Sequence, residues 1–92
     1  QLHYIANTSV PSTSGKTLPV IDPSDGQIFD EIQRGNAEDI DLAARAARQC
    51  FDNVWSKFTA AERGRLLMRL SQKVAECAEE LAALEQRDCG KP

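Results

Sequence analysis

The tightest constraint in this 92-residue sequence is a long one-sided helical pattern with too little apolar material elsewhere in the chain to cover it. Thr59-Ala60-Ala61-Glu62 has the form of a capping box. In that device the Thr hydroxyl accepts from the backbone N–H three residues on, and the Glu carboxylate accepts from the Thr N–H. Leu66, Leu67, Leu70, Val74, Ala78, Leu81 and Leu84 follow in helical phase. Gly90 offers a left-handed stop and Pro92 enforces it. The spacing predicts one helix from about Ala60 to Cys89, roughly 45 Å long at about 1.5 Å per residue.

A second helix is predicted over residues 36–54. Asn36 can cap it, with Asp39 in the reciprocal position, and Glu38, Asp39 and Asp41 place negative charge where the helix dipole favours it. Ile40, Ala43, Ala44, Ala47, Phe51 and Val54 form its apolar stripe, with an all-Ala middle that invites close approach. A short connection around Ser56–Phe58 implies a helical hairpin. Two helices cannot bury both apolar faces on each other, so a third layer is required.

The chain cannot supply that layer from its own composition. Of 38 hydrophobic residues, 12 are Ala and 3 are Cys, leaving 23 large apolar side chains, a marginal core for an independent enzyme. Residues 1–35 read as strands and turns. Leu2–Ile5 is a short apolar stretch and Pro11–Gly15 a loop, while Leu18–Asp22 and Gln27–Ile32 flank the turn signal Pro23-Ser24-Asp25-Gly26. The opening on Gln1 and the stop just after a helix end lead us to expect a piece of a longer chain.

Charge and cysteine usage exclude several classes. A net charge of −3 and a pI near 5.0 argue against nucleic-acid binding. No apolar run approaches the ~18–20 residues of a membrane span. Three Cys make a disulfide scaffold implausible and, with no signal-peptide pattern in the opening residues, point to a reducing, cytoplasmic setting. One pattern runs against the helix rules. Arg63, Arg65 and Arg69 crowd the start of the long helix, and Glu76, Glu79, Glu80 and Glu85 its end. Each such placement costs only ~0.3–1 kcal/mol. The arginines either lie on a solvated face or pair with acidic groups of another segment or subunit.

Few motifs carry chemistry. Ser14-Gly15-Lys16-Thr17 has the tail of a phosphate-binding loop, but Val10 stands where that loop needs Gly, and Leu18–Ile21 is extended rather than helical. Cys50, Cys77 and Cys89, spaced by 27 and 12, match no zinc pattern, and His3 is the only His. Cys89 lies at a helix C-terminus, where the dipole disfavours a thiolate. No GxGxxG is present. Asp88 stands out among the carboxylates because it closes the long helix, where it either faces the preceding strands or is simply solvated.

Taken in order, these segments resemble the NAD(P)-dependent aldehyde dehydrogenases. The resemblance rests on Ser14-Gly15-Lys16-Thr17-Leu18-Pro19-Val20-Ile21-Asp22-Pro23, on Glu38–Asp41 followed by Ala43-Ala44-Arg45-Ala46-Ala47, and on Phe51 with Trp55. It continues through Glu62-Arg63-Gly64-Arg65-Leu66-Leu67, then Leu81–Glu85 and Asp88-Cys89-Gly90-Lys91-Pro92. It covers about residues 4–92, and Cys89 departs from the commoner Asn, Ser or Thr of the family.

The resemblance implies an α/β parent with a Rossmann-type cofactor domain, of which this chain is the beginning. Residues 1–35 would form an N-terminal β-hairpin region and residues 36–92 a two-helix segment. The parent would oxidise an aldehyde to an acid with NAD or NADP, through a Cys thiohemiacetal and thioester. None of the three Cys here matches the nucleophile's position, so the chain contributes no catalytic or cofactor-binding residue. One structural monovalent cation is implied, held by main-chain carbonyls of Val20 and Ile21 and by Asp88. Partners would be the aldehyde substrate, the remainder of the subunit and further copies of it, with neither nucleic acid nor membrane. The alternative from a different class is a free-standing helical hairpin that binds a partner through its arginines.

Overall fold

The computed structural model describes residues 1–92. Strands β1 (His3–Ile5) and β2 (Thr8–Val10) pair antiparallel, with Ile5 opposite Thr8. Their two-residue turn places Ala6 and Asn7 at φ 51° and 62°. Two consecutive left-handed residues are what a twisted hairpin turn needs, and Tyr4 Oη donates to Asn7 Oδ1 across it. Strands β3 (Thr17–Ile21) and β4 (Ile28–Gln33) form a second antiparallel pair, separate from the first. Leu18 faces Ile32 and Val20 faces Asp30; the register then slips by one between Val20 and Ile21. Asp22 and Gly26 close the expected turn, the Gly26 N–H donating to Asp22 O at 2.8 Å.

Helix α1 (Ala37–Asn53) starts at the expected cap: Asn36 Oδ1 accepts from the Asp39 N–H at 2.9 Å, and Asp39 Oδ2 accepts from the Asn36 N–H at 3.1 Å. A 3₁₀ turn (Trp55–Lys57) leads to α2 (Ala60–Glu76). Thr59 and Glu62 make the second capping box, at 3.2 and 2.7 Å.

The single helix expected from Ala60 to Cys89 is divided at Cys77 into α2 and α3 (Ala78–Cys89). Cys77 has ψ 15°, and its N–H is shared between Lys73 O and Val74 O at 3.2 Å each. The division leaves the charges better placed. Glu79 and Glu80 now occupy the first turn of a new helix and Lys73 the last turn of the old one, the placements the dipole favours. Glu76 is neutralised by Lys73 at 2.7 Å. Gly90 ends α3 at φ 66°, its N–H donating to Gln86 O at 2.8 Å.

The expected hairpin of two helices is not closely packed, since α1 and α2 share no extensive contact. Nor is any hydrophobic residue buried. Ile40 is 67% exposed and Met68 64%. The accessible surface is 7469 Å², whereas a compact 10.1 kDa chain exposes about 5,300 Å². The radius of gyration is 16.9 Å within extents of 48 × 34 × 15 Å, against roughly 12 Å for a compact chain of this length. The molecule is a slab one layer thick, and its apolar stripes face outward for want of a second layer.

Candidate functional site

Two places bring distant residues together. The first lies where the C-terminal half of α3 meets the β3–β4 hairpin. Arg87 carries its guanidinium 4.9 Å above the Phe29 ring, and Gly90 lies so close to Pro23 that an added Cβ would stand 3.0 Å from Pro23 Cγ. These contacts frame a groove of about 350 Å³ with Val20, Phe29, Ile32 and Leu84 as its apolar floor and Asp30, Glu85 and Asp88 at its rim. Glu85 is 3.6 Å from Lys91 Nζ. Asp88 enters none of the chain's six ion pairs.

Val20 and Asp88 therefore share this groove, although 68 residues separate them in sequence. Ile21 is not among its lining residues; it sits at the register slip beside Val20, half-exposed. The extra residue at the slip is Phe29 of β4, opposite the step from Val20 to Ile21. No group of three or more His, Cys, Asp or Glu side chains is placed to hold a metal, so a cation here would depend on main-chain oxygens. The Asp88 carboxylate and the main-chain oxygens of Val20 and Ile21 are hard oxygen donors, the type that alkali cations prefer.

The second place is a polar knot at the N-terminus of α1. Ser12 and Asp39 are the only buried residues, at 5% and 4% exposure. Ser12 Oγ donates to Asp39 Oδ2 at 2.5 Å, and the Thr13 N–H donates to Asp39 Oδ1 at 2.9 Å. The Ser12 N–H donates to Gln33 Oε1 at 2.8 Å. With the Asn36 bond already described, the carboxylate accepts from three donors. The Ser12 hydroxyl first, then the Thr13 and Asn36 N–H groups, hold Asp39 well below the usual carboxylate range against the opposing effect of burial. His3 Nε2 lies 3.6 Å from Asp39 Oδ2. The knot ties the loop before β3 and the first strand to α1.

Sequence reasoning found Asp39 as a cap but missed Ser12, Thr13 and His3, because residues 26 to 36 positions away carry no local signal of convergence. The Ser14–Thr17 segment leads into β3, not a helix. The three cysteines are free and exposed, with Cys89 Sγ directed at Glu85 O, 2.9 Å away.

Comparison with known proteins decides the family. The pattern of the aldehyde dehydrogenase family matches residues 9–92. The chain belongs to that family. It is 43% identical over 89 residues to aldehyde dehydrogenase [NAD(P)+] 1 of Saccharomyces cerevisiae, covering 97% of this chain and 18% of that protein. It is 48% identical over 84 residues to aldehyde dehydrogenase family 2 member B4, mitochondrial, of Arabidopsis thaliana, covering 90% and 16%. Among solved structures it superposes with a TM-score of 0.94 on an NAD+ complex of a point mutant of betaine aldehyde dehydrogenase from Staphylococcus aureus. That match has 35% identity and covers 99% of this chain and 19% of the other. The chain thus spans less than a fifth of the aldehyde dehydrogenases it matches, and its slab is a part of their fold.

Proposed function

We propose that residues 1–92 open the cofactor-binding domain of an NAD(P)-dependent aldehyde dehydrogenase, with 1–35 as its strand-and-turn region and 36–92 as its helical segment. The carrying observation is the family match over residues 9–92 at less than a fifth of the relatives' length. The slab without an apolar core supports it. In the reaction so implied, a Cys outside this segment attacks the aldehyde, the nicotinamide accepts hydride, and a Glu outside it assists hydrolysis to the acid. The segment's own task is structural: its knot and capping boxes set the local geometry of β1–β4 and α1–α3, whose apolar stripes then pack on the rest of the subunit. Three free cysteines fit a reducing compartment such as the cytoplasm, and family resemblance supports a homo-oligomeric enzyme.

The test is NADH formation with a panel of aldehydes. A longer subunit that includes this segment is expected to turn over, and the purified 92-residue chain is not. A longer subunit that forms no NADH, or turnover by the short chain itself, would overturn the reading.

The same reading includes the structural cation on Val20, Ile21 and Asp88. In the longer subunit, Na+ or K+ should raise the Tm relative to tetramethylammonium, and Asp88→Asn should reduce that gain. An undiminished gain in the variant would remove Asp88 from the site.

A further inference from the structure

Arg63 stands apart from the other arginines of α2. It is the fourth residue of the helix and lies three, four, seven and eleven residues before Leu66, Leu67, Leu70 and Val74. That spacing puts it on the apolar stripe rather than the polar face. Its guanidinium rests 5.6 Å over the Trp55 ring, and Trp55 in turn packs against Phe58 with ring centroids 5.6 Å apart. Its Nε is buried and has no hydrogen-bond partner, and it enters none of the six ion pairs. By contrast Arg45 and Arg48 of α1 reach Asp41 and Asp52, at 2.8 and 3.7 Å.

A buried guanidinium N–H without an acceptor is costly, and a cation in the first turn of a helix is further disfavoured by the dipole. Both penalties are relieved by the same thing, an anion. The orphan is Nε, so the acceptor approaches the side edge of the guanidinium, where Nε and one Nη point in parallel. Two oxygens of one carboxylate match that edge. Leu66, Leu70 and Val74 beside it are left exposed, a row of apolar side chains of the kind that marks a docking surface.

We propose that Arg63 is the polar anchor of the α2 docking face, and that it receives an Asp or Glu carboxylate from the layer of the same subunit that covers Leu66, Leu70 and Val74. The inference rests on the reading of this chain as part of a longer subunit, and on the surface excess that such a layer would remove. The carboxylate is placed against the guanidinium, and Trp55 keeps the guanidinium from swinging to solvent.

The experiment is a thermal melt of the longer subunit carrying Arg63→Leu, at neutral pH and again in mild acid. Leu at an apolar-stripe position preserves packing but strands the partner carboxylate. The expected result is a Tm lower by about 3–5 °C at neutral pH, with the deficit shrinking in acid as the stranded carboxylate protonates. Arg63→Ala should regain part of its lost Tm when ethylguanidinium is added, and this second variant serves if Arg63→Leu does not fold. A Tm equal to that of the unsubstituted protein, or an equal deficit at both pH values, would overturn the proposal. So would a deficit that varies with protein concentration, which would place the acceptor on a second copy. The aldehyde assay of the unsubstituted subunit is independent of these melts, so failure of either reading is recognised separately.

Discussion

A glycine series tests the contact that builds the groove. Gly90, Gly26 and Gly64 differ in the two quantities that decide what an added methyl does. Gly90 has φ 66°, and its added Cβ would stand 3.0 Å from Pro23 Cγ and 3.7 Å from Pro23 Cβ. Gly26 has φ 73° but nothing within 4 Å of the added atom. Gly64 lies inside α2, also with open space around it. A left-handed conformation costs an L-residue roughly 1–2 kcal/mol. Overpacking against the Pro23 ring adds about 1–3 kcal/mol, and Ala inside a helix gains roughly 0.5–1 kcal/mol over Gly. Gly90→Ala should therefore lose roughly 2–5 kcal/mol, Gly26→Ala about 1–2 kcal/mol, and Gly64→Ala should be neutral to stabilising. The local readout is hydrogen exchange of the Gly90 amide, whose bond to Gln86 O closes α3. At about 1.4 kcal/mol per factor of ten, Gly90→Ala should speed its exchange roughly thirty- to several-thousand-fold. Gly90→Asn separates the two penalties, since Asn tolerates the left-handed region but keeps the Cβ. If Gly90→Ala costs no more than Gly26→Ala, α3 does not abut the Pro23 turn in solution, and the groove shared by Val20 and Asp88 goes with it.

Two further outcomes follow from the capped ends and the knot. Asp39 is depressed from its ordinary value of 3.8, so its contribution is fully present above that value and is lost as the pH falls through the folded-state pKa. Ser12→Ala removes the largest cause of the depression and should flatten the acid side of a melting series; an acid limb parallel to that of the unsubstituted protein would show that the Ser12–Asp39 bond does not sustain it. Thr59→Ala should cost about 1 kcal/mol by unmaking the α2 capping box while Thr59→Ser costs much less, and equal losses in a urea titration would mean that the hydroxyl bond to the Glu62 N–H is not what holds the helix start.

Local chemistry was legible because it is written in short spacings. Both capping boxes, the Asp22–Gly26 turn and the Gly90 stop each involve residues within a few positions of one another, and each formed where the sequence places it. The division at Cys77 was missed for a specific reason. Leu70, Val74, Ala78 and Leu81 keep helical phase straight through it, and hydrophobic periodicity cannot see a change of ψ at one residue. The acidic cluster at Glu79 and Glu80 did carry the signal, since charges that oppose one long dipole are well placed for two short ones. The knot was illegible for the opposite reason, because Ser12 reaches Asp39 across 27 positions through a loop whose composition marks it only as a turn.

The position of α2 is a different kind of problem from its existence. Nothing apolar within the chain holds α2 against α1, and the residues that should do so, Leu66, Leu67, Leu70 and Val74, are exposed. The accessible surface of 7469 Å² exceeds that of a compact chain of the same mass by about 2,200 Å². Covering that excess buries a similar area of the covering layer, so the total of about 4,400 Å² falls within the ~2,000–5,000 Å² range of permanent interfaces, and at ~25 cal/mol per Å² of apolar area its burial is worth tens of kcal/mol. Capping boxes and the Asp39 knot, at about 1 kcal/mol per neutral hydrogen bond, can select local geometry but cannot supply a term of that size. The fold of this segment is therefore specified in two parts: its elements by its own sequence, and their packing by the layer that Arg63 and the leucines of α2 face.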